Sequence, residues 1–323
     1  MRTIRLGRTD VQVPVVSLGT WAYGGENTSD SGQSIGWSGH DAEQARAALR
    51  SAHELGITHW DTADVYGDGR SEQLIGSIWG DVPRDEVFVA SKVGWDKGGH
   101  PHFYHPELVA ARVDRSLKNL RTDVIDLYYL HHCMFGDGDV YLDDALEVLV
   151  RARDAGKIRF IGLSDWSCHN VMRVIERVDP DVVQPLRNLT ADTFVASGLQ
   201  AWCAERDVGL AFFSPIRHGL LLGKYDGPTH FPEGDFRRGD PAFLDAGLIA
   251  RLRANAGALR DGLAHLPEPV LNGLLAPLLS DAPTACVLLG QRTPRHVAAA
   301  ANADRELTAH ELSWIRSLFD GLG

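Results

Sequence analysis

Short apolar runs alternate with longer stretches of helical periodicity along most of the chain. Residues 15–18, 57–60, 87–90, 124–130, 158–163, 182–183, 210–213 and 286–289 predict buried strands. Between them, residues 41–55, 71–79, 106–120, 142–155, 170–177 and 194–206 carry the spacing of amphipathic helices. Eight βα units without an internal linker predict an α/β chain, a (β/α)8 barrel spanning residues 1–323 as one domain. Ahead of the first unit, Ile4-Arg5-Leu6, a Gly7-Arg8-Thr9-Asp10 turn and Val11-Gln12-Val13 predict a small hairpin that caps or plugs the barrel.

The segment between Phe213 and Cys286 is too long for one crossover. Its first part, 228–241, is rich in Gly, Pro and Arg, and helical segments follow at 244–263 and 269–279, which predicts a long βα loop and extra helices toward the C-terminus. A doubly wound sheet would need a Gly-rich turn after the first strand, whereas Leu18-Gly19-Thr20-Trp21 stands there. Gly219 to Tyr225 resembles a phosphate-binding loop, but it is one residue short and ends in Tyr where a Mg²⁺-binding hydroxyl is needed.

Composition narrows the partners. The chain has 323 residues, 44% hydrophobic and 23% charged, enough to bury roughly 75% of its unfolded surface. A net charge of −11 and the lack of any Lys/Arg block argue against nucleic acid and anionic membranes. Cys133, Cys168, Cys203 and Cys286 form no C-x-x-C pair, and Met1 to Leu6 holds no long apolar core. These features predict a reduced, cytoplasmic protein with no export signal or membrane anchor.

The candidate chemistry lies at strand ends. Asp61, Lys92 and His131 each close or follow an apolar run, and Tyr66 lies five residues past Asp61. A free phenol has a pKa of about 10, too high for ready proton donation at neutral pH. Lys92 beside it is expected to lower that value, with Asp61 holding the ammonium in place, so that Tyr66 becomes a general acid and His131 a donor to the same substrate oxygen. The group has no nucleophile and suits placing a proton on oxygen while hydride reaches carbon, as in carbonyl reduction by a nicotinamide. His131-His132-Cys133 is not expected to hold a metal, because neighbours on an extended strand face opposite ways.

Five ordered motifs now stand out: Asp61-Thr62-Ala63-Asp64-Val65-Tyr66-Gly67, Ser91-Lys92, Asp126-Leu127-Tyr128-Tyr129-Leu130-His131, Gly156 to Ser164, and Ser214-Pro215. In these the chain resembles the aldo-keto reductases over almost its whole length. The resemblance implies a TIM barrel, a nicotinamide cofactor without a Rossmann domain, and Asp61, Tyr66, Lys92 and His131 as the catalytic tetrad. It implies cofactor contacts at Thr20, Trp21, Ser164, Asp165, Gln184 and Phe213 around the nicotinamide. It further implies Ser214, Ile216, Gly219, Leu221 and Lys224 over the pyrophosphate, and Gly290, Gln291, Arg292, Thr293 and His296 around the adenosine. Lys224, Arg292 and Thr293 point to NADP over NAD.

The chain departs from the family pattern at Asp165, where Asn is usual, at Arg187, where Tyr is usual, and at Ala299-Ala300, where some members carry Glu-Asn. Asp165 and Arg187 are expected to pair beside the nicotinamide. Loops 22–40 and 94–105 and the segment after His131 are expected to build the substrate pocket. Trp21, Tyr23, Trp37, Trp95, Phe103, His131, Met134 and Trp166 are its candidate lining. The expected partner is a small carbonyl compound or its alcohol. The alternative is a cofactor-binding, redox-sensing interaction protein with little turnover.

Overall fold

The computed structural model describes residues 1–29 and 32–322. Eight parallel strands close into a barrel: β3 (Val16–Gly19), β4 (His59–Asp61), β5 (Phe88–Val93), β6 (Ile125–Leu130), β7 (Ile158–Asp165), β8 (Val182–Pro185), β9 (Gly209–Phe213) and β10 (Ala285–Gly290), with β10 returning to β3. The outer helices are α1 (Ala42–Glu54), α2 (Arg70–Gly76), α3 (Pro106–Leu120), α4 (Leu142–Asp154), α5 (Cys168–Val178), α6 (Leu199–Glu205), α8 (Pro269–Leu279) and α9 (Pro294–Ala301).

Strand parity sorts the side chains. Phe88, Ala90, Leu127, Tyr129, Val182, Ala211, Cys286 and Leu288 fill the barrel interior. Val89, Val93, Tyr128, Leu130, Ile161, Leu163, Val183 and Leu210 pack outward in the main core under the helices. Gly162 belongs to this layering, because a Cβ there would lie 2.2 Å from the Tyr129 ring. The predicted hairpin, β1 (Thr3–Arg5) with β2 (Gln12–Pro14), is present. It presses Leu6 and Val13 into the interior cluster and donates Arg8 N–H to Asp207 O, which plugs the end of the barrel where the strands begin.

The long segment before β10 holds three 3₁₀ turns and then α7 (Ala246–Gly262). Leu252, Leu259 and Leu263 of this segment pack with Leu274, Ile315 and Phe319 as a satellite core, joined by α10 (Ala309–Phe319). Several predicted bounds shift, two of them for reasons the backbone makes plain. The sixth helix starts at Leu199 rather than 194, because Gly198 takes φ +85 and residues 191–197 are spent on turns. β8 runs two residues beyond Val183, since Ser164 and Asp165 of β7 pair with Gln184 and Pro185.

Candidate active site

The strand ends converge on a cleft of about 300 Å³ at the C-terminal mouth of the barrel. Parity brings the acid, the ammonium and the imidazole inward: Asp61 follows His59, Lys92 follows Phe88 and Ala90, and His131 follows Leu127 and Tyr129. Tyr66 arrives from the β4–α2 loop. Gly67 beside it takes φ +63 against Gly24, whose carbonyl oxygen would lie 2.1 Å from any Cβ, so only glycine lets the loop pack this tightly.

Lys92 Nζ donates to Asp61 Oδ1 at 2.5 Å, to Thr62 O at 2.7 Å and to Tyr66 Oη at 3.3 Å. Gln184 Nε2 donates to the other Asp61 oxygen at 2.8 Å. Thr20 secures the same strand end, its N–H and hydroxyl both donating to Asp61 O. The Tyr66 ring stacks on Trp21 at 5.8 Å and meets His131 edge-on at 5.9 Å. Asp61 and Lys92 are buried, 3% and 0% exposed, which strengthens their attraction relative to water.

The electrostatics differ from the sequence-based expectation in one respect. The Tyr66 phenol is raised well above its ordinary value, first by burial and then by the charges of Asp61 and Asp64. Burial lowers Lys92, with Asp61 opposing, and raises Asp61, with Lys92 and Gln184 opposing. His131 is lowered well below its ordinary value by burial, then by Lys92 and His132. The site therefore holds a protonated phenol and a neutral imidazole at neutral pH.

Of the implied cofactor residues, Thr20, Trp21, Asp61, Ser164, Gln184, Phe213, Ser214, Ile216, Gly219, Lys224, Gly290, Arg292 and His296 line the cleft. Lys224, Arg292 and His296 gather at one end. Each is lowered by burial and then by positive neighbours, Arg237 acting on Lys224 and Arg292, and Lys224 and Arg292 acting on His296. Such a set is relieved by an anion, and His296 adds the first turn of α9, capped by Thr293. At the same cleft Ser214 Oγ is buried without a partner, and no atom lies within 4 Å of a Cβ built on Gly290. The donors present fit a phosphate-bearing dinucleotide.

Other predicted residues lie elsewhere. Leu221 is buried in the satellite core, Thr293 caps α9, and Gln291 is wholly buried with Nε2 donating to Ser17 O. Asp165 has outward parity, as Ile161 and Leu163 do. Its carboxylate accepts from Cys133 N at 2.8 Å, Ser167 N at 2.7 Å and Asn170 Nδ2 at 3.1 Å. The expected Asp165–Arg187 pair is absent. Arg187 also lies on the outward side, held by Asp192 and Asp281 at 2.9 and 2.8 Å and lying over the rings of Phe194 and Phe212.

Of the residues expected around a substrate, Trp21, Trp37, Trp95, Trp166 and His131 line the cleft. Tyr23 does not; it is 1% exposed and its hydroxyl donates to Gln291 O at 2.7 Å. Phe103 packs against His132, and Met134 is exposed, so neither joins the wall. The structure adds Gln33, Ile35, His218, Phe236 and Arg237 to the lining. His218, its pKa brought to about 4 chiefly by burial, and Phe236 pack on Trp21 at 5.8 and 4.9 Å. Both come from the segment after Phe213, which has no periodicity to read; the Arg237-Arg238 pair within it was the available signal.

That segment is fastened over the cleft. Asp235, fully buried, accepts from Ser38 N and Oγ at 2.8 and 2.6 Å and forms a two-point pair with Arg237. These donors outweigh the upward push of burial and bring its carboxyl to about 2. Arg292 donates to the Ser38 and Gly39 carbonyls, so the clasp reaches the cationic end.

The fold agrees with what known proteins show. A model of the Aldo/keto reductase family matches residues 15–319. The chain belongs to the aldo/keto reductase family, a family of oxidoreductases, and its barrel is the (β/α)8 fold of that family. It is 33% identical over 219 residues to Aldo-keto reductase yakc [NADP(+)] of Schizosaccharomyces pombe, a match covering 64% of this chain and 62% of that protein. It is 32% identical over 247 residues to Aldo-keto reductase YhdN of Bacillus subtilis, covering 75% of this chain and 70% of that one. The structure of a glycerol dehydrogenase from Gluconobacter oxydans superposes with a TM-score of 0.80 at 26% identity, covering 98% and 94% of the two chains. Among the described residues no helix is long and apolar enough to cross a membrane.

Proposed function

We propose that the protein is an NADPH-dependent carbonyl reductase, reversible toward the alcohol, with Tyr66 as the group that exchanges a proton with the substrate oxygen. The observation that carries this reading is the buried Asp61–Lys92–Tyr66 chain of hydrogen bonds opening into the cleft beside His131. Bound there, the nicotinamide supplies the hydride for the carbonyl carbon.

The chain's own residues do the rest. Tyr66 is protonated at neutral pH and gives its proton to the oxygen as negative charge develops. Lys92, 3.3 Å from Tyr66 Oη, then stabilises the phenolate, and Asp61 keeps the ammonium charged and aimed. His131, neutral, donates a hydrogen bond to the same oxygen. Trp21, Trp37, Trp95, Trp166 and Phe236 form walls that exclude water and favour a carbonyl carried on an apolar or ring-shaped group. Lys224, Arg292 and His296 bind the nucleotide phosphates, and the 2′-phosphate accounts for a preference for NADPH. The name of the Schizosaccharomyces pombe relative, which carries NADP(+), supports that preference.

A panel of aldehydes, ketones and alcohols assayed with NADPH, NADP⁺, NADH and NAD⁺ tests the reading. Steady turnover with an apolar or aromatic aldehyde, faster with NADPH, is expected. Tight cofactor binding with no turnover across the panel would favour the redox-sensing alternative.

A further inference from the structure

The loop between β5 and α3 carries a group of side chains that the cleft does not use. His100, His105 and Glu107 each offer a ligand-type atom, and these atoms lie within 4.8 Å of one another. The two imidazole centroids are 4.8 Å apart. His105 stands at the N-cap position of α3 without a side-chain capping bond and Glu107 lies in its first turn, so a helix start positions two of the three. Among the described residues none of these side chains makes a hydrogen bond or ion pair, and His105 Nδ1 is buried without a partner. The neighbouring His102 is different: its Nδ1 accepts from Tyr104 N, and its ring stacks on Tyr141 at 4.5 Å.

We propose that His100, His105 and Glu107 form a binding site for one divalent transition-metal ion of the zinc class. Two imidazoles and a carboxylate are a zinc donor set that leaves a fourth position for water. Calcium and magnesium, which take oxygen ligands, do not suit it. Zinc ligands at about 2.0–2.2 Å in tetrahedral array sit roughly 3.4 Å from one another. The 4.8 Å spread therefore closes with side-chain rotation of the half-buried His100 and a small loop movement. The same loop carries Trp95, whose ring meets His131 at 5.9 Å and Trp166 at 5.5 Å. An ion joining His100 to the start of α3 would pin the middle of this loop and, through it, the wall of the cleft.

The test uses the tag-free full chain, stripped with chelator and dialysed, and titrates Zn²⁺ against a chromogenic chelator with Mg²⁺ as control. One Zn²⁺ per chain with micromolar or tighter affinity is expected, and no competition by Mg²⁺. His100→Ala with His105→Ala should weaken binding on the order of tenfold or more, and Glu107→Gln should weaken it too. No stoichiometric Zn²⁺ binding, or equal binding by the double variant, overturns the proposal. Should the double variant fail to fold, His100→Ala alone decides, since His100 lies outside α3; unchanged affinity there overturns the proposal. Affinity, not turnover, is the readout, so the result stands apart from the reductase reading.

Discussion

Single residues account for most of the proposed chemistry. Arg292 lies at the cationic end of the cleft with Lys224 and His296, and its guanidinium fork suits a phosphate. Arg292→Ala is expected to weaken NADPH by about 1.5–3 kcal/mol and NADH much less. Titration of both nucleotides by tryptophan fluorescence checks this, and equal losses would mean that Arg292 does not read the 2′-phosphate. Asp61, Lys92 and His131 were legible as spatial neighbours because each ends or follows an apolar run, and Tyr66 by its place five residues past Asp61. The expected Asp165–Arg187 pairing fails on strand parity. Period-two alternation turns Asp165 outward with Leu163, and Arg187 outward with Val183 and Pro185, away from Ser164 and Gln184 that do line the cleft. Closeness of neighbouring strand ends along the sheet does not bring side chains of outward parity into the cleft.

At the scale of elements, the strands and most helices followed from periodicity, and the loops did not. The clasp of residues 34–40 on 234–237 joins positions about two hundred apart in sequence through Asp235, which local patterning cannot reveal. Asp235→Ala leaves the Ser38 donors and the Arg237 guanidinium without their buried carboxylate, at a cost of about 1.5–3 kcal/mol for groups bonded to a charge. The loops should then separate more readily, and NADPH should leave about tenfold faster or more in stopped-flow release. An unchanged release rate would mean that the clasp does not retain the nucleotide. The same variant should retain its barrel, because the interior cluster lies between the strands and the hairpin plugs their opposite end.

For the whole molecule, buried histidines set the response to acid. His59 is brought to about 3, and His132 and His218 to about 4, each mainly by burial. Their unfolded values are about 6.5. The unfolded chain therefore takes up protons first, so the stability from these groups is present above about pH 6.5 and is lost as pH falls toward 4. Asp64, raised to about 7 by burial and Glu72, acts the other way, since its protonation on acidification removes the cost of a buried charge. Three histidines outweigh one carboxyl. The denaturation midpoint is expected to drop between pH 7 and pH 5, and a midpoint that holds or rises contradicts this balance.

The reductase reading rests on a proton passing through one phenol. The most direct measurement is single-turnover oxidation of bound NADPH by an aldehyde in the wild type and in Tyr66→Phe, with NADPH affinity determined in parallel. Removing the hydroxyl deletes the donor at the end of the Asp61–Lys92 chain and little packing, since the ring keeps its stack on Trp21. The expected result is a hydride-transfer rate lower by about 10²–10⁴-fold with NADPH affinity nearly unchanged. A Tyr66→Phe rate within about threefold of wild type would contradict the account.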